Sequence, residues 1–165
     1  MSLAKYLFIA MVSWLSPAKQ PESLEVSTAR YESIAADVAE VVSREDEPAL
    51  FKNDTDKTKT ALLLISMAYF ESSYFARVDE GHCLPKECDG GLAFSMWQFH
   101  PEMGLAFDGD KWKYDANGWH GKDFIADRKL TIRMALHLLR GPHTNGWGEG
   151  KRKEKAMTYF SKNPR

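Results

Sequence analysis

Apolar positions recur at helical spacing in four stretches, and these predict the main elements of the chain. Over residues 29–43 they fall three or four positions apart, the pattern of an amphipathic helix. A second helix is predicted over 56–75, where the uncharged run 62–70 indicates a helix that is central in the core. A third is predicted over 123–140 and a short last one over 151–160. No convincing strand pattern occurs, so the predicted fold class is mainly α.

The segments between these helices are rich in glycine, aspartate and proline, which favour turns and loops. Loops or extended surface segments are predicted over 78–91, 102–121 and 142–150, and Gly141 and Pro142 stop the third helix. The short run 92–99 fits either a strand or a turn. Residues 53–56 offer several oxygens that can cap the second helix at its N-terminus.

The first twenty residues admit two interpretations. Lys5 precedes an apolar stretch, and the small residues Ser16 and Ala18 follow it at the spacing of a secretory cleavage site. The alternative is a first helix or hydrophobic arm packed on the domain. The predicted organisation is therefore a signal peptide or N-terminal arm with a polar linker over 1–28, and one domain over 29–165. A signal would direct the protein to the cell envelope, the periplasm or the exterior.

Composition limits the classes of partner. A chain of 165 residues with 44% hydrophobic and 27% charged residues is long enough for a domain with its own core. The net charge of −1 gives no general attraction to nucleic acid or to a membrane surface, and no apolar run reaches the ~20 residues of a membrane span. We therefore expect a monomer without a nucleic acid partner and without stable membrane insertion.

Two cysteines, Cys83 and Cys88, leave the redox compartment open. They form a small disulfide loop if the protein is exported, and stay reduced thiols if it is cytoplasmic. With His82 and His100 they also make a set of zinc-ligand types, but the spacing lacks a C-x-x-C pair. We expect no metal and no cofactor.

Glu71 is the candidate for acid catalysis. It follows nine residues without a charge, 62–70, near the end of the second predicted helix. A carboxyl among apolar side chains holds its proton more firmly, and the negative end of the helix dipole acts in the same direction. Such a carboxyl can donate a proton to a glycosidic oxygen. The alternative is a solvated surface glutamate.

Two motifs in the same order resemble those of the lytic transglycosylases and goose-type lysozymes of the lysozyme-like superfamily. Glu71-Ser72 after an apolar helix is similar to the Glu-Ser pair of that family. Ala93, Gln98 and Pro101 are similar to a second motif that lines its cleft, although Ser95 stands where glycine is usual.

A third motif of the family is matched less closely. Tyr159 is similar to its tyrosine, which implies that Tyr159 contacts substrate, but Phe160 replaces its asparagine. Asp89 lies nine residues before Gln98, the spacing of a second acid in goose-type lysozymes, and His100 replaces a further acidic position. Asp89 also suits a turn before two glycines.

The resemblance implies a single lysozyme-like domain with long loops around a substrate cleft. It implies cleavage of the bond between N-acetylmuramic acid and N-acetylglucosamine in peptidoglycan glycan strands, with Glu71 as general acid and base. Both a lytic transglycosylase and a hydrolase, with Asp89 as the second acid, fit the motifs. Without a signal, the expected context is a soluble protein encoded by a phage, such as an endolysin.

Further substrate contacts each have a structural alternative. Ser72 would orient Glu71 or bind substrate, or else make a hydrogen bond at the helix end. Gln98 can bind the N-acetyl group or a hydroxyl of a sugar, or else brace its loop. Tryptophans offer stacking faces for sugars or serve as core anchors. The candidates are Trp97, Trp112, Trp119 and Trp147.

A rival function is non-catalytic binding to the cell wall, or a structural role in a virion. The end of the chain is basic, with cations at 151, 152, 153, 155, 162 and 165, and this charge would suit an anionic wall. The alternative for these residues is a solvated helix face.

Overall fold

The computed structural model describes residues 1–100, 105–108, 111–140 and 149–165, without the side chains of 85, 105–108, 111–114 and 149–150. These ranges contain seven α-helices and one two-stranded antiparallel hairpin, which confirms the prediction of a mainly α fold. The helices are α1 (Leu3–Trp14), α2 (Leu24–Ser43), α3 (Thr58–Ser72), α4 (Ala76–Asp79), α5 (Gly121–Ala126), α6 (Arg128–Arg140) and α7 (Glu149–Lys162), and the strands are β1 (Leu105–Asp108) and β2 (Lys111–Tyr114). None of the described helices is long and apolar enough to cross a membrane.

The chain divides into two compact units. Unit 1 comprises Met1–Met67 with Gly146–Arg165, and unit 2 comprises Ala68–Asn145. Residues 1–28, predicted as a signal peptide or an arm with a linker, belong to unit 1. The predicted helix stop at Gly141 and Pro142 and the second-motif residue Pro101 lie outside the described residues.

Helix α1 is part of the core of unit 1. It begins after Ser2, whose hydroxyl accepts a hydrogen bond from the backbone N–H of Lys5. Its buried side chains are Leu3, Tyr6, Leu7, Ala10 and Met11, and its neighbour is α2. The Tyr6 hydroxyl also donates to the carbonyl oxygen of Asn163, just beyond α7. The interpretation of the N-terminus as a first helix or hydrophobic arm predicts this packing.

The predicted polar linker is short and ordered. Residues Pro17–Lys19 form a 3-10 turn, and α2 begins at Leu24, five residues before the predicted start. The buried Ser27 hydroxyl donates to the Pro17 carbonyl oxygen at 3.0 Å. Gln20 Nε2 donates to the Tyr31 hydroxyl at 2.7 Å. These polar side chains tie the turn to α2, which their spacing in the sequence does not reveal.

The start of α3 confirms the expectation that the segment 53–56 supplies capping oxygens. The Asp54 carboxylate is buried and accepts from the backbone N–H groups of Lys59 (3.0 Å) and Thr60 (2.8 Å) and from the Thr60 hydroxyl (2.7 Å). Asp56 accepts from the N–H of Thr58 at 3.2 Å. The helix begins at Thr58, and residues 61–68 are buried throughout, as expected for a central helix.

Unit 2 departs from the predicted elements in two places. The extended segment 102–121 contains the β1–β2 hairpin, with Leu105 opposite Tyr114, although no strand was predicted. The predicted helix 123–140 is two helices, α5 and α6, with a break at Asp127. Asp127 has extended backbone and its carboxylate accepts from the N–H of Leu130 at 3.0 Å, so it ends one helix and caps the next.

Candidate functional site

Helix α3 ends abruptly one residue after Glu71. Ser73 and Tyr74 both have left-handed backbone conformations, with φ of 51° and 55°, which stop the helix three residues before the predicted end. The Ser72 hydroxyl donates to the Ala68 carbonyl oxygen at 2.7 Å and accepts from the Tyr74 N–H at 3.2 Å. Ser72 is only 6% exposed, so it has the helix-end role, and the predicted contact with substrate is not supported.

Glu71 lies in the last turn of α3 and is half-buried. Its neighbours along the helix differ in exposure: Ala68 is buried, whereas Phe70 is 43% exposed. Glu71 therefore lies between an exposed side chain, Phe70, and a buried one, Ser72. Its partial exposure is compatible with the access to a ligand that a general acid requires.

The loop that follows is organised around Cys88. Cys83 and Cys88 form a disulfide, so of the two alternatives for these residues the structure has the bonded one. The buried Cys88 packs with Val78 and Ala93. Its carbonyl oxygen accepts hydrogen bonds from three successive backbone N–H groups, those of residues 91, 92 and 93, at 2.8, 3.0 and 3.1 Å. These contacts fix the loop immediately after Asp89.

An ion pair between Arg77 and Glu87 joins helix α4 to this loop. The Arg77 guanidinium lies over the Phe75 ring and donates to both carboxylate oxygens of Glu87. The Arg77 side-chain hydrogen bonds, followed by the Leu84 backbone N–H, lower the pKa of Glu87 from 4.5 to about 2. Glu87 therefore stays ionised at all but strongly acidic pH.

Residues 94–99 form a tight turn, the second of the two alternatives for this run. Phe94 and Phe99 exchange backbone hydrogen bonds of 2.8 and 2.9 Å, and their bridge encloses two left-handed residues, Ser95 (φ 64°) and Gln98 (φ 54°). Gln98 Nε2 donates to the Ser95 carbonyl oxygen at 2.9 Å, so the amide nitrogen braces the turn.

The burial of Trp97 contradicts the prediction that its ring contacts substrate. Its side chain is 0% exposed, and a ring with no accessible face cannot stack on a sugar. The neighbouring residues Ser95 and Met96 are buried as well, at 3% and 0% exposure. Trp147 and the side chain of Trp112 lie outside the described residues, and Trp119 is half-buried.

Asp89, Gln98 and His100 are brought together around Cys88. Gln98 Nε2 lies 3.5 Å from the Cys88 sulfur, and Asp89 is the next residue in the chain. His100 Nε2 lies 3.0 Å from Asp89 Oδ2. His100 was not among the predicted site residues. The only signal for it in the sequence was its position in the motif, where the family has an acidic residue.

Tyr159 belongs to unit 1 and packs with aromatic side chains there. Its ring meets those of Tyr6 and Trp14 edge to face, at centroid distances of 5.8 and 5.6 Å. Burial raises the pKa of Tyr159 and is the main cause that raises the pKa of Tyr6 to about 12. Both phenols are therefore neutral core groups, and the role of Tyr159 as a substrate contact stays a prediction.

The zinc alternative has no support in the described part of the chain. Cys83 and Cys88 are bonded to each other, so neither offers a thiolate. Within those residues, no group of three or more histidine, cysteine, aspartate or glutamate side chains is arranged to hold a metal ion.

Comparison of the chain with protein-family models, with curated proteins and with solved structures gave no match.

Proposed function

We propose that this chain cleaves peptidoglycan at the bond between N-acetylmuramic acid and N-acetylglucosamine, with Glu71 as the general acid. The observation that carries the proposal is the position of Glu71, half-buried in the last turn of a helix whose residues 61–68 are all buried. Partial burial excludes part of the solvent, while the remaining exposure leaves the carboxyl open to a sugar chain.

The conformation of Ser95 supports the resemblance on which the proposal draws. The lysozyme-like family has glycine at this place in its second motif, and Ser95 has a φ of 64°. Glycine adopts this conformation without steric cost, whereas serine keeps it here with its hydroxyl accepting from the Trp97 N–H at 3.3 Å. A backbone conformation that suits glycine, at the place where the family has glycine, is consistent with the resemblance.

In the proposed reaction Glu71 gives its proton to the glycosidic oxygen as the bond breaks. The family resemblance allows two continuations. In a lytic transglycosylase, the C6 hydroxyl of the muramyl sugar attacks its own anomeric carbon and returns a proton to Glu71, leaving an anhydro sugar. In a hydrolase, a water molecule attacks instead and a second carboxylate takes its proton.

Substitution of Glu71 by Gln tests the proposal directly. The variant keeps the size of the side chain but has no proton to donate, so we expect loss of at least about 1000-fold in the cleavage of purified sacculi. Turbidity and mass spectrometry of the released fragments measure cleavage, and anhydro or reducing muramyl ends distinguish the two reactions.

The matched control is Glu80→Gln, which changes an exposed glutamate of the same unit. We expect it to retain wild-type cleavage, and both variants to melt within about 2 °C of wild type, as surface substitutions do. Full activity of the Glu71→Gln variant would remove the proposal.

Non-catalytic wall binding is the second candidate, and one observation favours it. Helix α7 and the residues after it present exposed cations at Lys151, Lys153, Lys162 and Arg165. Such charges can bind an anionic polymer with a strong dependence on salt. Sedimentation of the protein with sacculi at low but not high salt, without any release of fragments, would favour this function over cleavage.

A further inference from the structure

The contact between Asp89 and His100 lies at the surface. The side chains keep 70% and 43% of their surface exposed, and the imidazole nitrogen Nε2 is 3.0 Å from Oδ2 of the carboxylate. Exposed contacts of this kind contribute little to stability. A contribution to stability therefore does not explain why these two side chains are in contact. The contact joins two segments of the candidate site.

The backbone at Asp89 is unusual for a residue with a side chain. Its φ is 46°, and Gly90 and Gly91 follow with φ of 76° and 91°. Aspartate tolerates this left-handed region better than most residues, but a steric cost remains. The hydrogen bonds to the Cys88 carbonyl oxygen hold this conformation and turn the Asp89 side chain out of the core.

His100 is well anchored for an exposed residue. It directly follows Phe99, which is 3% exposed, exchanges two backbone hydrogen bonds with Phe94, and packs its ring 5.6 Å from that of Phe124. The backbone that carries the imidazole is therefore held in place by its neighbour. A carboxylate bonded to the imidazole loses much of its rotational freedom, which is how a supporting residue orients a catalytic group.

We infer that His100 is the positioning residue for Asp89, the second carboxylate of the hydrolytic alternative. The inference rests on the proposed function and specifies its hydrolytic course. Glu71 gives its proton to the leaving oxygen as the glycosidic bond breaks, the water oxygen bonds to the anomeric carbon, and Asp89 takes the proton from that water. With Oδ2 on the imidazole of His100, Oδ1 is the oxygen that receives it.

The test uses the full chain with soluble, uncross-linked glycan strands as substrate. We expect His100→Ala to lower kcat by about 10- to 100-fold while KM changes less than about 3-fold, because misorientation affects the chemical step and not binding. His100→Gln keeps an N–H donor and should recover activity to within about 5-fold of wild type. The matched control is His82→Ala, an exposed histidine in the preceding loop.

A double substitution distinguishes positioning from a general structural effect. If His100 acts through Asp89, His100→Ala causes no further loss in an Asp89→Asn background. The inference would be overturned if the double variant lost activity by the product of the two single losses. It would also be overturned if His100→Ala and His100→Gln lost equal activity. An unchanged kcat in His100→Ala while Glu71→Gln is inactive would overturn it as well, and in that case the proposed function stands. A wild-type protein that releases no fragments removes both.

Discussion

At single residues, backbone conformation marks the candidate site. Among the described residues of unit 2, all five non-glycine residues with a left-handed φ lie between positions 73 and 98: Ser73, Tyr74, Asp89, Ser95 and Gln98. Each such residue costs of order 1 kcal/mol and persists only where its surroundings hold it. Strained residues often cluster where a protein must present particular groups, and this cluster begins two residues after Glu71 and ends at Gln98.

Gly121, at the start of α5, is required because of its close contact with an aromatic ring. A Cβ atom placed there would lie 2.4 Å from the Phe94 ring, which forms one side of the turn 94–99. We expect Gly121→Ala to lower the free energy of unfolding by about 1–3 kcal/mol, because Phe94 must move. Urea unfolding measures the change. Lys122→Ala at the next, exposed position is the control, and equal stability of the two variants would contradict the contact.

At the scale of elements, side-chain oxygens decide where helices begin and break. Asp127 divides a continuous apolar pattern into α5 and α6, because its carboxylate binds a backbone N–H that an unbroken helix would use otherwise. Apolar periodicity identifies the buried face of a helix but does not register a single polar residue that ends it. The prediction of one helix over 123–140 therefore failed at this residue alone.

Asp54 allows the effect of a side-chain cap on stability to be tested at the start of α3. Its buried carboxylate accepts three hydrogen bonds at the helix start, whereas the Asp56 side chain is 53% exposed. We expect Asp54→Ala to lower the free energy of unfolding by about 1–3 kcal/mol, because buried donors lose their partner, and Asp56→Ala by less. Denaturant titration followed by circular dichroism measures both. A smaller loss for Asp54→Ala than for Asp56→Ala would be the contrary outcome.

For the whole molecule, charge is nearly balanced, with 22 basic and 23 acidic residues. Net charge therefore explains little of the expected response to pH, and particular groups determine it. Glu87 is one, because its pKa is about 2 in the folded protein against an ordinary value of 4.5. A carboxyl whose pKa is lower in the folded state stabilises that state above pH 4.5 and loses this contribution as the pH falls toward 2.

The corresponding experiment compares wild type with Glu87→Gln across pH. We expect the difference between their free energies of unfolding to be constant above about pH 5 and to shrink between 4.5 and about 2, where protonated Glu87 no longer pairs with Arg77. A difference that is independent of pH would show that the Arg77–Glu87 pair does not form in solution.

The sequence by itself determined the helical class and the approximate helices, because burial of an apolar face leaves a periodic pattern that is local in the chain. It identified Glu71 at the end of a buried helix and Gln98 in a separate short run, which fitted either a strand or a turn. It also indicated where α3 acquires its cap, since aspartates next to a helix start have few other uses.

Only the tertiary structure decided which polar groups meet. The Asp79 carboxylate is buried against Arg128 at 2.7 Å, and the two are 49 positions apart. Ser72 and Trp97 are both turned inward, and His100 is placed on Asp89. Such contacts depend on how distant segments approach one another. No local pattern records that approach, because it is set by the packing of the whole core.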